Sequence, residues 1–447
     1  MEKDDRRYRN YVRILKEELI PAMGCTEPIA IAYAAAKARE VLGTLPDHVW
    51  IGVSRNIVKN VKSVVVPNTG GMKGIASAAA AGIVGGDADK RLEVISEMSE
   101  EQVHEIHAFV QNVPVETEAV DNGFVFDIIV KLQKGDSSSM VRITQYHTNI
   151  VAIEKDGKVI FNAEPGESKS NEEVGLADKS LLNVKDIIEF ADTCDIEDIK
   201  EVLDQQIACN TAIAEEGLKN SWGANIGSTW LKAYENDVKA RAIAKAAAGS
   251  DARMSGCEMP VVINSGSGNQ GITVSVPVIE YAKELGCSQE QLYRALVVSN
   301  LIAIHEKTGI GRLSAYCGAV SAGCAAGAGI CYLHGGKYED IAHTVVNSLV
   351  IVSGIICDGA KPSCAAKIAS SVQAGIFGYE MWLNGQQFRY GDGIVNDSVE
   401  TTIRNVGRLG REGMKKTDEE IVDIMLTESR TPPYEQLLIE DRACGKP

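Results

Sequence analysis

The pattern of apolar and polar residues changes twice along the 447-residue chain. Residues 10–42 have a helical pattern, because YVRILKEEL is amphipathic and EPIAIAYAAAKAREVLG is rich in alanine, with Gly43 after its last periodic residue. From about residue 46, the stretches HVWIGVS, VKSVVVP, FVFDIIVKL, MVRITQY and NIVAIEKDGKVIF are rich in Val, Ile and aromatic residues. Such stretches predict β-strands. After about residue 180 the pattern is again almost wholly helical.

This order of elements predicts an α+β fold with a large, mainly helical domain and a smaller α/β module. The helical domain takes residues 1–45 and 171–447, and the module takes residues 46–170. Within the module, Asp156-Gly157 predicts a hairpin turn, and Ser99 with Gln102 predicts a capping box. The polar stretch NAEPGESKSNEEVG, at residues 162–175, is the candidate linker.

The stretch AYCGAVSAGCAAGAGICYL, at residues 315–333, is uncharged and nearly as long as a membrane-spanning helix. Its residues are mostly Ala, Gly, Ser and Cys, and such small side chains allow helices to approach closely while giving only weak transfer into a bilayer. We therefore interpret it as a buried helix.

Charge and cysteine content narrow the classes of partner. The 45 Lys and Arg against 61 Asp and Glu give a net charge of −16, and no basic run is present. Nucleic acid and anionic membrane surfaces are therefore poor partners, and a small molecule is favoured. The eleven cysteines are an odd number, and the charged N-terminal stretch MEKDDRRYRNYVRILKEEL does not resemble a signal peptide. We expect reduced thiols and a cytoplasmic location.

The cysteines differ in the residues around them. Those in helical or apolar patterns fit buried structural thiols: Cys194, Cys209, Cys287 and Cys331. Cys317, Cys357 and Cys364 are instead surrounded by Gly, Asp, Lys and Pro. The chain has no CXXC knuckle or redox motif, whereas three thiolates in polar loops suit a [4Fe–4S] cluster with one iron that lacks a protein ligand. Such an iron can act as a Lewis acid on substrate.

Five segments occur in one order along the chain: GCTEP at 24–28, NTGG at 68–71, SGSGNQG at 265–271, GRLSAYCGAVSAGCAAGAG at 311–329 and CDGAKPSCAAKIASS at 357–371. Together they resemble the L-cysteine desulfidase family, whose members are relatives of the iron–sulfur-dependent L-serine dehydratase α chain. The resemblance covers most of the chain. It implies that Cys317, Cys357 and Cys364 bind a [4Fe–4S] cluster and that L-cysteine is cleaved to pyruvate, ammonia and hydrogen sulfide.

Two features separate this chain from the serine dehydratases. Their second and third ligand cysteines are usually farther apart than Cys357 and Cys364. Their N-terminal substrate segment usually carries His-Thr where this chain has Cys25-Thr26. The second difference favours a desulfidase, because the desulfidase family carries this cysteine.

Cys25 is the candidate catalytic base. It immediately precedes a predicted helix, where unpaired N–H groups and the helix dipole are expected to lower the pKa of a thiol. Removing the Cα proton of an amino acid without a pyridoxal group requires a positioned proton acceptor. The structural alternative is an inert thiol before a capped helix.

Further polar residues are candidates for substrate binding. The Gly-rich loops can hold a carboxylate through N–H groups and side chains, or can be tight structural turns. Glu27 suits a substrate ammonium or simply the start of a helix, Arg312 suits a carboxylate, and His305 fits either substrate or a helix C-terminus. The full set is Thr26, Glu27, Asn68, Thr69, Ser265, Ser267, Asn269, Gln270, His305 and Arg312.

Alternative functions remain open at this point. An iron–sulfur L-serine dehydratase differs only in substrate. A pyridoxal-phosphate lyase could use SGSGNQG as a phosphate loop, although no lysine lies in a recognisable Schiff-base context and three cysteines would go unexplained. A non-enzymatic amino-acid sensor is the third alternative. The expected partner is a small-molecule amino acid, and the small-residue helices are compatible with a homodimer.

Overall fold

The computed structural model describes residues 1–163, 176–235, 237–311 and 313–426. The α-helices of the described residues are α1 (Arg6–Glu18), α2 (Thr26–Leu42), α3 (Arg55–Val61), α4 (Gly74–Gly85), α5 (Glu100–Asn112), α6 (Val184–Thr193), α7 (Lys200–Lys219), α8 (Ile226–Ala233), α9 (Val238–Met254), α10 (Gly268–Glu284), α11 (Gln289–Ile310), α12 (Gly318–Leu333), α13 (Tyr338–Val352), α14 (Cys364–Leu383), α15 (Val399–Arg408) and α16 (Lys415–Leu426). The strands are β1 (Pro21–Met23), β2 (His48–Ser54), β3 (Val115–Val120), β4 (Asp127–Lys134), β5 (Ser137–Thr144), β6 (Ile150–Lys155), β7 (Lys158–Asn162) and β8 (Pro260–Val262).

These elements form a mainly helical α+β fold, which confirms the predicted fold class. The larger sheet has the strand order β3-β2-β4-β5-β6-β7. Strand β2 runs parallel to β3 and antiparallel to β4, and the remaining neighbours are antiparallel. The sheet is therefore mixed. Strands β1 and β8 form a separate antiparallel pair.

The sheet has one face against helices, as its period-two pattern requires. In β2 the alternate residues Val49, Ile51 and Val53 are fully buried, as expected where side chains point alternately to the two faces of a sheet. Helix α2 packs against β4 and β5, and also against α4. The strands β2–β7 lie within the predicted module, although α2 comes from the other side of its boundary. The division into two domains stays a prediction, and most of its linker, residues 164–175, lies outside the described residues.

Local sequence signals set several element ends as predicted. Asp156 and Gly157 have φ of 50° and 72° and turn the chain between β6 and β7. The capping box of α5 is formed by Ser99 and Gln102, and α2 ends at Gly43 with φ of 83°.

The prediction of a strand at VKSVVVP, residues 61–67, is wrong. The chain there ends α3 and continues as a buried loop with a single bridge between Val65 and Lys73. Burial of apolar loop residues produced the strand-like pattern, since Val64 and Val66 are buried without belonging to a strand.

Helix α12 forms the centre of the helical part and packs against α10, α11, α13 and α14. Its glycines allow close contact: a Cβ on Gly323 would lie 2.4 Å from the Ser371 carbonyl carbon, and one on Gly327 would lie 2.3 Å from the Gly375 oxygen. The interpretation of residues 315–333 as containing a buried helix is confirmed. Among the described residues, none of the helices is both long and apolar enough to cross a bilayer.

Two backbone pairings bring distant segments to one place. The β1–β8 pair sets the start of α2 beside the loop that precedes α10. A bridge between Tyr316 and Ile356 sets the start of α12 beside the loop that precedes α14. The N-termini of four helices are thus collected at one site.

Candidate functional site

A cavity of about 100 Å³ lies at these helix N-termini. Its lining includes four cysteines from three segments of the chain, namely Cys25, Cys317, and the pair Cys357 and Cys364. The partial positive charge of a helix N-terminus favours negative groups. The volume is far below the roughly 300 Å³ at which pockets for drug-sized ligands begin, so the cavity suits a small anionic or zwitterionic ligand.

The segments that carry Cys317 and Cys357 are bonded to each other through the backbone. The Cys317 N–H donates to the Ile355 carbonyl at 3.2 Å, and the Cys357 N–H donates to the Ala315 carbonyl at 2.7 Å. Cys364 is the first residue of α14, and its N–H donates to the Lys361 carbonyl at 2.9 Å. Backbone hydrogen bonds therefore fix the positions of all three thiols.

The three thiols are electrostatically coupled. Burial raises the pKa of Cys317 to about 12, and the nearby Cys357 and Cys364 add to this effect. Burial also raises the pKa of Cys364, with Cys357 contributing again. The positive charge of a bound metal would offset the repulsion between thiolates, and metal binding to thiols therefore releases their protons.

The residues beside the thiols fit an anionic metal group. Lys361, within the loop between Cys357 and Cys364, has a buried Nζ atom without a hydrogen-bond partner among the described residues. Lys367 contacts Asp358, and its charge offsets part of the rise in the pKa of Cys317 and Cys364. Three thiols with two nearby ammonium groups suit a [4Fe–4S] cluster, whose thiolate ligands carry net negative charge.

The described part of the chain contains no group of three Cys, His, Asp or Glu side chains placed to surround one metal ion. A [4Fe–4S] cluster does not require such a group, because each of its thiolates binds a different iron atom. Cys317, Cys357 and Cys364 are the residues that would hold it.

Cys25 lies beside these ligand candidates. It forms a small apolar cluster with Val64 and Met254, against which Cys364 also packs. Cys25 is the N-cap residue of α2, as expected, but its thiol donates to Glu27 Oε2 at 3.2 Å rather than capping the helix. Burial and the Glu27 carboxylate raise the pKa of Cys25 well above its usual range. The expectation of a lowered pKa is therefore wrong, because desolvation outweighs the helix terminus.

Glu27 is the buried carboxylate of the site. Its Oε1 atom accepts a hydrogen bond from Asn60 at 3.2 Å and lies 3.8 Å from His147 Nε2, an ion-pair distance rather than a hydrogen bond. Burial alone would raise the pKa of Glu27, but interactions with His147 and with the Cys25 thiol lower it to about 2. Glu27 is thus held ionised inside the protein.

The Gly-rich segment at the start of α10 lines the cavity. Ser267 is the N-cap residue of α10, Asn269 and Gln270 belong to its first turn, and all three line the cavity. Their predicted role in substrate binding stays a prediction. The Thr26 hydroxyl donates to the Gly266 carbonyl at 2.9 Å, which ties α2 to this segment rather than pointing to a ligand. Ser265 donates to Asn264 and lines a neighbouring cleft instead.

Other predicted substrate residues lie elsewhere. Asn68 donates to the Ile95 carbonyl at 2.7 Å and Thr69 to the Val66 carbonyl at 2.7 Å, so both stabilise the turn before α4. His305 Nε2 lies 2.7 Å from Glu400 Oε2 and joins α11 to α15. Arg312 lies outside the described residues.

The cavity also includes polar residues that the sequence analysis did not propose as substrate ligands. These are Lys59, Asn60, Arg253 and Lys307. Each comes from a helix, where a charged or polar residue usually indicates a solvent-facing position. One of these residues could have been noticed in the sequence: Arg253 is charged although it directly follows the Ala-rich stretch AKAAAGSDA.

Comparison with known proteins places the chain in a family. Residues 89–423 match the model of the serine dehydratase alpha chain family. The chain belongs to this family.

Close relatives cover nearly the whole chain. A UPF0597 protein of Desulfitobacterium hafniense is 60% identical over 428 residues, which cover 96% of this chain and 99% of the relative. UPF0597 proteins of Lachnoclostridium phytofermentans and Treponema denticola are 54% and 47% identical and cover 94% and 95% of this chain and all of each relative.

Proposed function

We propose that this protein is an iron–sulfur lyase that cleaves L-cysteine to pyruvate, ammonia and hydrogen sulfide. The observation that carries the proposal is the convergence of Cys317, Cys357 and Cys364 on one small cavity that also includes Cys25. The family match supports the class of lyase. The cysteine before Thr26 and the resemblance of the five segments support L-cysteine over L-serine as substrate.

In this proposal Cys317, Cys357 and Cys364 hold a [4Fe–4S] cluster. When bound, the cluster supplies a Lewis-acidic iron that polarises the substrate and assists departure of the leaving group. Cys317 is buried, whereas Cys357 and Cys364 are half-buried, so the cavity is reached from its Cys357 and Cys364 side.

The chain's own residues supply the proton transfer. Cys25 first passes its thiol proton to Glu27, to which it already donates, and the resulting thiolate takes the Cα proton of the substrate. The freed electron pair forms the Cα–Cβ double bond as the Cβ–S bond breaks. The sulfur leaves with the electron pair of that bond. The aminoacrylate becomes an imine, and one water molecule then releases ammonia and pyruvate. Glu27 holds the Cys25 thiol in place and is the alternative proton acceptor, because it is ionised and lies 3.2 Å from Sγ.

The test is an anaerobic assay with L-cysteine and L-serine side by side, measuring sulfide, ammonia and pyruvate together with iron and acid-labile sulfide. We expect about four irons and four sulfides per chain and product from L-cysteine. Faster pyruvate formation from L-serine would identify a dehydratase, which the family match favours as the second candidate. Pyridoxal absorbance without iron would identify a pyridoxal-phosphate lyase, and cysteine binding without product would identify a sensor.

A further inference from the structure

Arg253 is a buried cation without a hydrogen bond or ion pair within the described part of the chain. Its side chain is on α9, the residue is 4% exposed, and its Nε atom is buried without an acceptor. Burial of an unpaired charge is strongly unfavourable. Arg241 on the same helix differs from Arg253, because it forms ion pairs with both Glu280 and Glu284.

The surrounding backbone leaves room for the Arg253 guanidinium at the cavity. A Cβ atom on Gly268 would lie 2.3 Å from Arg253 Nε and 2.8 Å from Cζ. Gly268 is the first residue of α10, and Arg253 lines the cavity with Cys25. The guanidinium therefore lies beside the start of α10, where a bound anion would also be favoured.

Side-chain oxygens around the same cavity are also unpaired. Asn60 Oδ1, Asn269 Oδ1 and Gln270 Oε1 are buried and receive no hydrogen bond from any residue that the structure describes, and all three residues line the cavity. Gln270 packs against Gly318, where an added Cβ would lie 2.6 Å from Gln270 Cδ. Amide oxygens accept hydrogen bonds, and an ammonium group offers three donors. Among the described residues that line the cavity, Arg253 is therefore an unpaired cation, and Asn60, Asn269 and Gln270 carry unpaired acceptors.

We propose that Arg253 binds the carboxylate of the ligand, and that the amide oxygens of Asn60, Asn269 and Gln270 receive its ammonium group. The ligand class is a small α-amino acid in its zwitterionic form. A guanidinium binds a carboxylate through two parallel hydrogen bonds, which fixes its orientation as well as its position. This inference deepens the proposed function and rests on it for the identity of the reacting group.

The experiment compares two ligands that share a thiol and differ in one charged group. 3-Mercaptopropionate has the carboxylate and lacks the amine, whereas cysteamine has the amine and lacks the carboxylate. Dissociation constants are measured anaerobically by calorimetry for the wild type, Arg253→Gln, Arg253→Lys and the control Arg241→Gln. Iron and acid-labile sulfide are determined on every sample.

We expect Arg253→Gln to weaken 3-mercaptopropionate binding on the order of 10- to 100-fold, as for a lost charge-assisted hydrogen bond, with cysteamine binding unchanged. Arg253→Lys should recover part of the affinity, because it keeps the charge but loses the planar fork. If Arg253→Gln does not fold, the Arg253→Lys variant still allows the affinities for the two ligands to be compared with those of the wild type. Arg241→Gln should bind both ligands as the wild type does.

Equal weakening for both ligands, or loss of iron and sulfide with unchanged ligand selectivity, would overturn the proposal and make Arg253 a counter-charge for the cluster. Absence of 3-mercaptopropionate binding by the wild type would overturn it as well. If the wild type releases no sulfide from L-cysteine, the proposed function fails, yet selective loss of carboxylate binding in Arg253→Gln would still support this inference.

Discussion

The cavity at the helix N-termini has two walls, which differ in the side-chain groups that they present. The cysteine wall, formed by Cys317, Cys357 and Cys364, has its backbone N–H groups paired and presents three thiols. The Cys364 thiol accepts from the Lys361 N–H at 3.4 Å and donates to the Gly359 carbonyl at 3.5 Å. The polar wall, formed by Arg253, Asn269 and Gln270, has side-chain atoms that lack hydrogen-bond partners within the described ranges of the chain. Thiols are soft ligands for iron, whereas amides and guanidinium recognise charged organic groups.

The two proposals assign different occupants to the two walls. The [4Fe–4S] cluster would bind to the cysteine wall, and the amino acid would bind to the polar wall. Cys25 and Glu27 belong to neither wall. Cys25 packs with Cys364, and its thiol donates to the ionised Glu27. Mutations should therefore separate loss of the metal from loss of turnover.

The largest effect is expected from Cys357→Ala, which removes a ligand from the cysteine wall. With two thiolates left, the protein should lose iron, acid-labile sulfide, visible absorbance and all activity. The measurements are metal analysis and the sulfide assay after anaerobic purification. A coloured, active Cys357→Ala protein would show that this residue is not a ligand.

Cys25→Ser should separate loss of turnover from loss of the metal, because it removes the proposed base and leaves the three proposed ligand cysteines. We expect iron, sulfide and colour to be kept while turnover falls on the order of 10²-fold or more, as for the loss of a positioned proton acceptor. Absorbance spectra and steady-state rates measure both. If Cys25→Ser is colourless, Cys25 is a cluster ligand; if it is fully active, Glu27 becomes the first residue to test as base.

Glu27 should give a measurable pH dependence of stability. Its pKa in the folded protein is about 2, below the ordinary 4.5, so its stabilising contribution is present above pH 4.5 and lost as pH falls towards 2. The shift corresponds to about 3 kcal/mol. Urea unfolding of wild type and Glu27→Gln across this range should show the extra decrease in free energy of unfolding in the wild type alone.

A suitable control for that experiment is Glu105→Gln, which changes an exposed carboxylate on α5. It should follow the wild-type pH dependence. A Glu27→Gln profile parallel to that of the wild type would contradict the ionised, stabilised state of Glu27.

The smallest effect is expected from Cys287→Ser, which changes a half-buried thiol away from the cavity. Iron content and turnover should match the wild type, and the free energy of unfolding should change by no more than about 0.5 kcal/mol. Thermal unfolding and the sulfide assay test this. Loss of the cluster in Cys287→Ser would contradict the division between site and structural cysteines.

Local patterns predicted much of the fold and part of the site. Strand β2, the Asp156-Gly157 turn and the buried helix α12 follow from the period of apolar residues and from turn chemistry, which act over a few residues. The segment with Ser267, Asn269 and Gln270, singled out by its composition, lines the cavity, and its role in substrate binding stays a prediction. The failed strand at residues 61–67 shows the limit of this reasoning, because burial in a loop and burial in a strand leave the same apolar pattern.

By itself, the sequence determined which segments carry reactive or turn-forming residues, because those properties belong to the residue types and their near neighbours. Only the tertiary structure decided which of them meet. It brought Arg253 from α9 and Asn60 from α3 into the cavity, and left His305 paired with Glu400 outside it. It also raised the pKa of Cys25, because burial and Glu27 outweigh the helix terminus. Contacts between distant segments and the desolvation they cause depend on the whole fold, so no local pattern encodes them.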